Sequence, residues 1–188
     1  MFDHFGLLAP FYEFFIKPKP PQMLEEFTQL PPSGRLLDVG GGTGRISQYF
    51  SGEDAQIIVS DLSLKMLRQT ESKAGLQPVC SHSEALPFRN ASFDRLIMVD
   101  ALHHVCDQQK TADELWRVLA PGGRIIIEEP NIKRRVVKLV ALGEKLALMR
   151  SHFLTPEDIK NLFPADGSFR KIYEEDHTAW VIIEKNNL

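Results

Sequence analysis

The 188-residue sequence has little cysteine, little net charge and no long apolar run, and each shortage removes a class of protein. Its two cysteines, Cys80 and Cys106, are too few for a disulfide scaffold and lack the close pairing of a zinc site, so a reducing, cytoplasmic setting is expected. A net charge of -3 and a pI near 6.1 give no overall positive field to hold a phosphate backbone, so nucleic acid is not an expected partner. No stretch approaches the ~20 apolar residues of a membrane span. Residues 1–6 show no basic start leading into an apolar core, so no signal peptide is expected. Repeats and low-complexity segments are also missing.

What the chain does have is the composition of a folded domain, 43% hydrophobic and 25% charged, at a length that suits one core. A single domain over 1–188 is expected. From residue 35 onward, short β-branched runs alternate with longer amphipathic segments, the rhythm of a parallel α/β sheet. The runs 36–39, 56–60, 77–80, 94–99 and 124–128 read as strands, the most apolar of them buried on both faces. Helices are expected over 45–50, 64–73 and 111–119; in the last, Ala112, Leu115, Trp116 and Leu119 recur at helical spacing as core residues. Thr155-Pro156-Glu157-Asp158 combines a capping residue, a first-turn proline and two acids, a strong helix start. Two β-rich stretches follow, 169–173 and 178–183, so close together that they predict an antiparallel hairpin closing the sheet. Residues 1–30 read as a helical preface over one end of the sheet.

The most informative segment is Leu36-Leu37-Asp38-Val39-Gly40-Gly41-Gly42-Thr43-Gly44-Arg45, an apolar strand entering a glycine-rich turn. Such a turn, at the carboxyl end of the first strand of an open α/β sheet, lies where ligands bind. The dinucleotide pattern G-x-G-x-x-G fails, because its last position falls on Arg45 from Gly40 and on Ser47 from Gly42. Asp38 would also repel a pyrophosphate, whereas it suits a ligand with an ammonium group. Asp61 ends the next strand at the distance from the glycines where a carboxylate accepts from ribose hydroxyls; capping the following helix, a role Ser63 can share, is its other reading.

These residues resemble the class I S-adenosylmethionine-dependent methyltransferases, and within them the ubiquinone/menaquinone biosynthesis type. Asp38-x-Gly40-x-Gly42-x-Gly44 is similar to that family's first motif, and Asp61-Leu62-Ser63 with Met66 to its strand-end acid and the helix after it. Leu86-Pro87-Phe88, Ser92-Phe93-Asp94, Ala101-Leu102-His103-His104-Val105 and the run from Glu114 to Gly123 continue the series in order. The resemblance implies a Rossmann-like α/β fold: a seven-stranded, mostly parallel sheet with a C-terminal antiparallel hairpin strand and helices on both faces. It implies S-adenosyl-L-methionine as cofactor and S-adenosyl-L-homocysteine as product, held by Asp38, Gly40, Gly41, Gly42, Gly44, Asp61, Leu62, Met66, His82, Ser83, Val99 and Asp100. One departure is His82, where the family usually carries Asp or Asn for the adenine amino group; a neutral imidazole nitrogen accepts the same bond, and Ser83 offers its backbone N–H to the ring.

Methyl transfer from a sulfonium demands alignment and exclusion of water, and a base only if the acceptor must lose a proton. Asp100, His103 and His104 are the catalytic candidates, being at the end of the fourth strand; packing at the mouth of the site is the alternative for either histidine. No metal is expected, since His103, His104 and Cys106 match no common zinc spacing. The acceptor, a small aromatic or apolar molecule, is expected between the preface, with Phe11 and Tyr12, and the variable stretch 131–153, with His104 alongside. In that stretch Arg134, Lys138 and Lys145 oppose Val137, Leu139, Val140 and Leu142, an amphipathic pattern that reads as a cover helix in preference to a membrane-surface contact. A nicotinamide-dependent oxidoreductase and a non-catalytic S-adenosylmethionine-binding module are the competing readings.

Overall fold

The computed structural model describes residues 21–52, 54–134, 137 and 151–187. Seven strands occur in chain order: β1 (Arg35–Val39), β2 (Gln56–Asp61), β3 (Leu76–Cys80), β4 (Phe93–Val99), β5 (Leu119–Pro130), β6 (Ser168–Glu175) and β7 (Thr178–Lys185). They form one sheet in the order β3-β2-β1-β4-β5-β7-β6. The first five run parallel, and β7 is antiparallel to both β5 and β6. The expected sheet, with its closing hairpin, is therefore what the chain forms. Because β1 has β2 on one side and β4 on the other, the strand order reverses at β1, and a crevice opens there outside the carboxyl ends of the strands.

The near-continuous apolar runs are explained by burial on both faces. Ile125 and Ile127 point into a core with Leu37, Leu96, Leu115 and Phe163, while Ile126 between them joins Leu36, Ile57, Leu67 and Trp180 on the opposite face. The period of two in β5 thus divides one hydrophobic strand between two cores.

Among the described residues, four helices cover the sheet: α1 (Gln22–Thr28), α2 (Leu64–Thr70), α3 (Gln108–Val118) and α4 (Pro156–Asn161). Their starts are chemically marked. Asp107 accepts from Lys110 N–H at 3.0 Å to cap α3. Thr155 and Asp158 form a reciprocal capping box at α4, as the sequence there predicts. Helix α1 is docked by its C-terminal carbonyls: Arg124 donates to Phe27 O, and Arg95 to Thr28 O and Gln29 O, which satisfies acceptors that a helix end leaves open.

Two expected elements differ. The helix over 45–50 is a turn followed by a short 3₁₀ segment, Ser47–Phe50. Gly44 is left-handed with φ +71, and the Ser47 hydroxyl is engaged by Asp38, so no side chain caps a longer helix. Strand β5 begins earlier than expected, because Leu119 pairs with Phe93 before a register shift carries the ladder on to Arg95 and Arg124. Of the preface, only residues 21–30 are described, and residues 135–136 and 138–150 lie outside the described residues.

Candidate functional site

The glycine turn is held against β2 by backbone bonds. Gly40 N–H and Gly41 N–H both donate to Ser60 O, at 2.8 and 3.2 Å. Gly40, Gly42 and Gly44 adopt φ +74, +57 and +71, a region that side chains other than glycine rarely enter. At Gly40 the requirement is also one of space, since a Cβ there would lie 2.6 Å from that of Ala101 after β4. The turn and the end of β4 thus meet backbone to side chain across the crevice.

Asp61, at the end of β2, is half-buried and faces the turn. Its Oδ2 accepts from Gly42 N–H at 3.0 Å and its Oδ1 from Ser63 N–H at 2.7 Å. Ser63 Oγ in turn accepts from Met66 N–H and caps α2. A carboxylate offers about four acceptor directions, and one that shapes the turn in this way can also face a ligand. The capping role and the ribose role therefore fit the same side chain.

Asp38 is placed differently from what its position suggests. It is 1% exposed and lies beneath the turn, where a Cβ on Gly41 would come within 2.5 Å of its carboxyl group. Ser47 Oγ donates a hydrogen bond to it. Burial pushes its pKa up to about 6, against the lowering effect of Ser47 and of the Arg45 charge. Asp38 is thus an anchor under the loop, and the acid open to the crevice is Asp100. Asp100 has a left-handed backbone, φ +50, its N–H bonds Glu128 O at 2.9 Å, and its carboxylate pairs with Arg45 at 3.1 Å.

On the β2–β3 side, Leu62 is 53% exposed and forms an apolar ledge beside Asp61, while Met66 is buried below the turn within 3.0 Å of a Cβ built on Gly42. His82 is exposed and Ser83 half-buried in the loop after β3. Ser83 Oγ donates to Glu84, whose carboxylate also accepts from Cys106 N–H and Asp107 N–H. Burial would raise the Glu84 pKa, but these bonds outweigh it and hold the group below the usual carboxylate range. Val99 is half-buried at the end of β4.

Beyond β4 the chain makes a 3₁₀ turn, Leu102–His104, organised by Glu129 from the end of β5. This buried carboxylate accepts from Ala101 N–H at 3.1 Å and Leu102 N–H at 2.7 Å, and bonds His103 Nδ1. His103 is 4% exposed and stacks on Phe153 with ring centres 4.2 Å apart. His104 is half-buried, contacts Ser151 Oγ through Nδ1, and is held neutral well into acid, its pKa lowered to about 4 by burial and by the neighbouring His103. His103, His104 and Asp100 are thus consecutive features of one wall, but only His104 and Asp100 are more than marginally exposed. Phe11 and Tyr12 lie outside the described residues, as does most of the stretch 131–153.

Sequence reasoning missed Glu128 and Glu129. The signal was present: two acids ending Arg124-Ile125-Ile126-Ile127-Glu128-Glu129, a strand otherwise apolar, at the sheet edge where the crevice opens. Glu128 accepts from Trp180 Nε1–H at 2.7 Å, and burial pushes its pKa up to about 7.

The cradle fits a nucleoside that carries no phosphate. Its glycines leave room for close approach, Asp61 can receive hydroxyls, and the carboxylates of Asp61 and Asp100 beside the turn oppose a pyrophosphate. The fold is that of a Rossmann-like α/β protein with a glycine turn at its switch point. Residues 37–127 match the family model described as methyltransferase domain. Among curated relatives, the ubiquinone/menaquinone biosynthesis C-methyltransferase of Pseudoalteromonas translucida (strain TAC 125) is 35% identical over 104 residues, 50% of this chain and 41% of that one. The Yersinia pestis (strain Pestoides F) protein of the same name is 34% identical over 105 residues, covering 50% and 42%. The chain spans about two fifths of the length of these relatives. An S-adenosylmethionine-dependent methyltransferase from Thermotoga maritima superposes with a TM-score of 0.81 at 20% identity, over 99% of this chain and 100% of that one. One from Aquifex aeolicus gives 0.75 at 17% identity, over 98% and 100%. The resemblance read from the sequence motifs is therefore borne out, and so is the fold.

Proposed function

We propose that the protein transfers the methyl group of S-adenosyl-L-methionine to a small aromatic or apolar acceptor. The observation that carries this reading is Asp61, whose carboxylate is fixed against the glycine turn at the end of β2, where the ligand crevice opens. Bound there, the cofactor supplies an electrophilic methyl carbon on a sulfonium. The chain's own part is positioning. The glycine turn brings backbone close to the ligand, Leu62 offers an apolar face to the base, and His82 and Ser83 border the adenine side. Asp38 shapes the loop from below.

The acceptor would approach from the wall made by Asp100 and His104, and Phe153 adds apolar surface behind it. His104, neutral near pH 7, can accept a hydrogen bond from an acceptor hydroxyl, though its lowered pKa makes it a weak base, while Glu129 fixes His103 and the turn that carries both histidines. A quinone-type acceptor accords with the names of the curated relatives and with the apolar surface of Phe153 behind that wall. No helix among the described residues is long and apolar enough to cross a membrane.

Calorimetry with S-adenosyl-L-homocysteine and with NADH tests the reading. Binding of the former and not the latter is expected; equal or tighter binding of NADH would favour the oxidoreductase instead. Formation of S-adenosyl-L-homocysteine in a screen of small aromatic and quinone-like acceptors separates an enzyme from a binding module.

A further inference from the structure

The two edges of the sheet differ. At one, β3 is five residues long and carries Pro78, which has no N–H to offer a further strand. At the other, β6 runs for eight residues without proline, and β7 covers only one of its sides. An edge strand of that kind leaves a row of backbone N–H and C=O groups open to another strand. Its side chains alternate between two faces. One face carries Phe169, Lys171, Tyr173 and Glu175, all exposed, Phe169 to 55% and Tyr173 to 36%. Tyr173 lies opposite Trp180 and forms a cluster with it and with Phe27, at 5.8 and 5.3 Å between ring centres. Lys171 and Glu175 are opposite in charge, and neither forms an ion pair with another described residue.

We propose that β6 is a docking edge for a second copy of this chain, the two β6 strands pairing antiparallel about a two-fold axis at Tyr173. In that register Lys171 of each copy faces Glu175 of the other, and the two Tyr173 side chains meet on the axis. A lysine alone on an edge strand opposes pairing. A glutamate placed symmetrically across Tyr173 on the same face turns that charge into an attraction once the second strand is inverted, as an isologous interface requires. Tyr173 then joins the aromatic clusters of the two copies, and cross-strand aromatic pairs add to the attraction. A register centred on Ile172 would set Arg170 opposite Glu174 instead, but both are already engaged. Arg170 donates to Lys160 O and Phe163 O at the end of α4, and Glu174 accepts from Lys133. Because β4, β5 and β7 separate this edge from the glycine turn after β1, the inference stands apart from the methyltransferase reading.

Sedimentation equilibrium over a wide range of protein concentration tests the pairing. The parent is expected to rise from the monomer mass of 21.3 kDa toward twice that value as concentration increases. Lys171→Glu and Glu175→Lys each set like charges opposite one another at both symmetry-related contacts, and each is expected to weaken association by about tenfold or more. Both variants should melt like the parent, because the two side chains are exposed. Mixed in equal amounts, the variants are expected to recover association, since one copy is then acidic and the other basic along the shared edge. A parent that keeps the monomer mass at every concentration overturns the proposal, and the edge is then open to a different protein. A dimer that both substitutions leave intact has its interface elsewhere. Variants that are monomeric alone and stay so when mixed show that Lys171 and Glu175 do not face each other; either result overturns the proposal as well.

Discussion

The two sides of the crevice are built by different means. On the β1–β2 side, the bonds made by the two aspartates span short sequence separations, 2 residues from Asp61 to Ser63, 9 from Asp38 to Ser47 and 19 from Gly42 to Asp61, while Thr70 and Lys73 donate across 28 and 30 residues to the carbonyls of Gly42 and Thr43. Most of the donors to those aspartates are backbone N–H groups. On the β4–β5 side, Glu129 reaches back 26 to 28 residues, Ser151 lies 47 from His104, and Gln108 bonds His152 O across 44. That side depends on one buried carboxylate whose partners lie far from it in the sequence. The cofactor side should therefore degrade gradually under substitution, and the acceptor side abruptly.

The largest effect is expected from Glu129→Ala. It strips two backbone N–H groups and His103 of their acceptor in a place where the carboxylate is 4% exposed. Breaking such a buried arrangement from one side costs roughly 3 to 5 kcal/mol. Urea or thermal unfolding should show that loss, with Glu129→Gln falling between the two because it keeps one acceptor oxygen. A Glu129→Ala protein as stable as the parent would mean that water takes over the three donors, and the contrast between the two sides would collapse.

A smaller effect, on the order of 3 kcal/mol at most, is expected at Glu128, and it carries a sign. Its pKa rises from 4.5 to about 7 on folding, so the native state holds a proton that the unfolded chain has already released. Stability attached to this group is thus lost as pH rises from about 4.5 to 7. Glu128→Gln removes the dependence while keeping an acceptor for Trp180, so the variant should match the parent near pH 4.5 and exceed it above pH 7. Asp38 drifts the same way up to about 6, and His104 the opposite way between about 4 and 6.5, but both are common to the two proteins and cancel in the difference. Thermal melts of both across this range check it; a constant difference would show that Glu128 is ionised in the native state throughout.

At Asp61 the effect should appear in binding more than in folding. Losing a charged acceptor of ribose hydroxyls costs roughly 1.5 to 3 kcal/mol, or about ten- to a hundredfold in affinity for S-adenosyl-L-homocysteine. Because Asp61 also accepts from Gly42 N–H and Ser63 N–H, Asp61→Ala will loosen the turn, and Asp61→Asn is the cleaner comparison. A Ser63→Ala control that binds the ligand normally would separate the cap from the ribose contact. Undiminished binding by Asp61→Asn would move the ribose elsewhere.

The same contrast explains what could be read from the sequence. Apolar runs such as Ile125-Ile126-Ile127 announce a doubly covered strand because burial on both faces leaves no polar position, and the Thr155 capping box announces α4 because its chemistry is local. The glycine turn and Asp61 were legible for the same reason. The expected 45–50 helix failed because apolar spacing says nothing of where the Ser47 hydroxyl is spent. Asp38 reads in the sequence as a ligand contact because it directly precedes the glycine turn, whereas the structure buries its side chain under the loop. Glu129 and its grip on His103 escaped because the partners meet only when β4 and β5 lie side by side.

The smallest effect is expected at Lys133, where the chain leaves β5 for the stretch thought to cover the acceptor. Its ammonium bridges Glu157 at the start of α4, at 2.8 Å, and Glu174 on β6, at 3.0 Å. Both carboxylate bonds raise its pKa, but the side chain is 42% exposed, so solvent and salt screen most of the attraction. Exposed pairs of this kind contribute roughly 0 to 1 kcal/mol. Lys133→Ala should therefore shift the unfolding midpoint only slightly at low salt and less still at high salt, with affinity for S-adenosyl-L-homocysteine unchanged. A measurable loss of acceptor turnover in that variant, with stability and ligand affinity intact, would show that this surface bridge fixes how the chain departs from β5. The abrupt behaviour expected of the acceptor side would then have a second anchor besides Glu129.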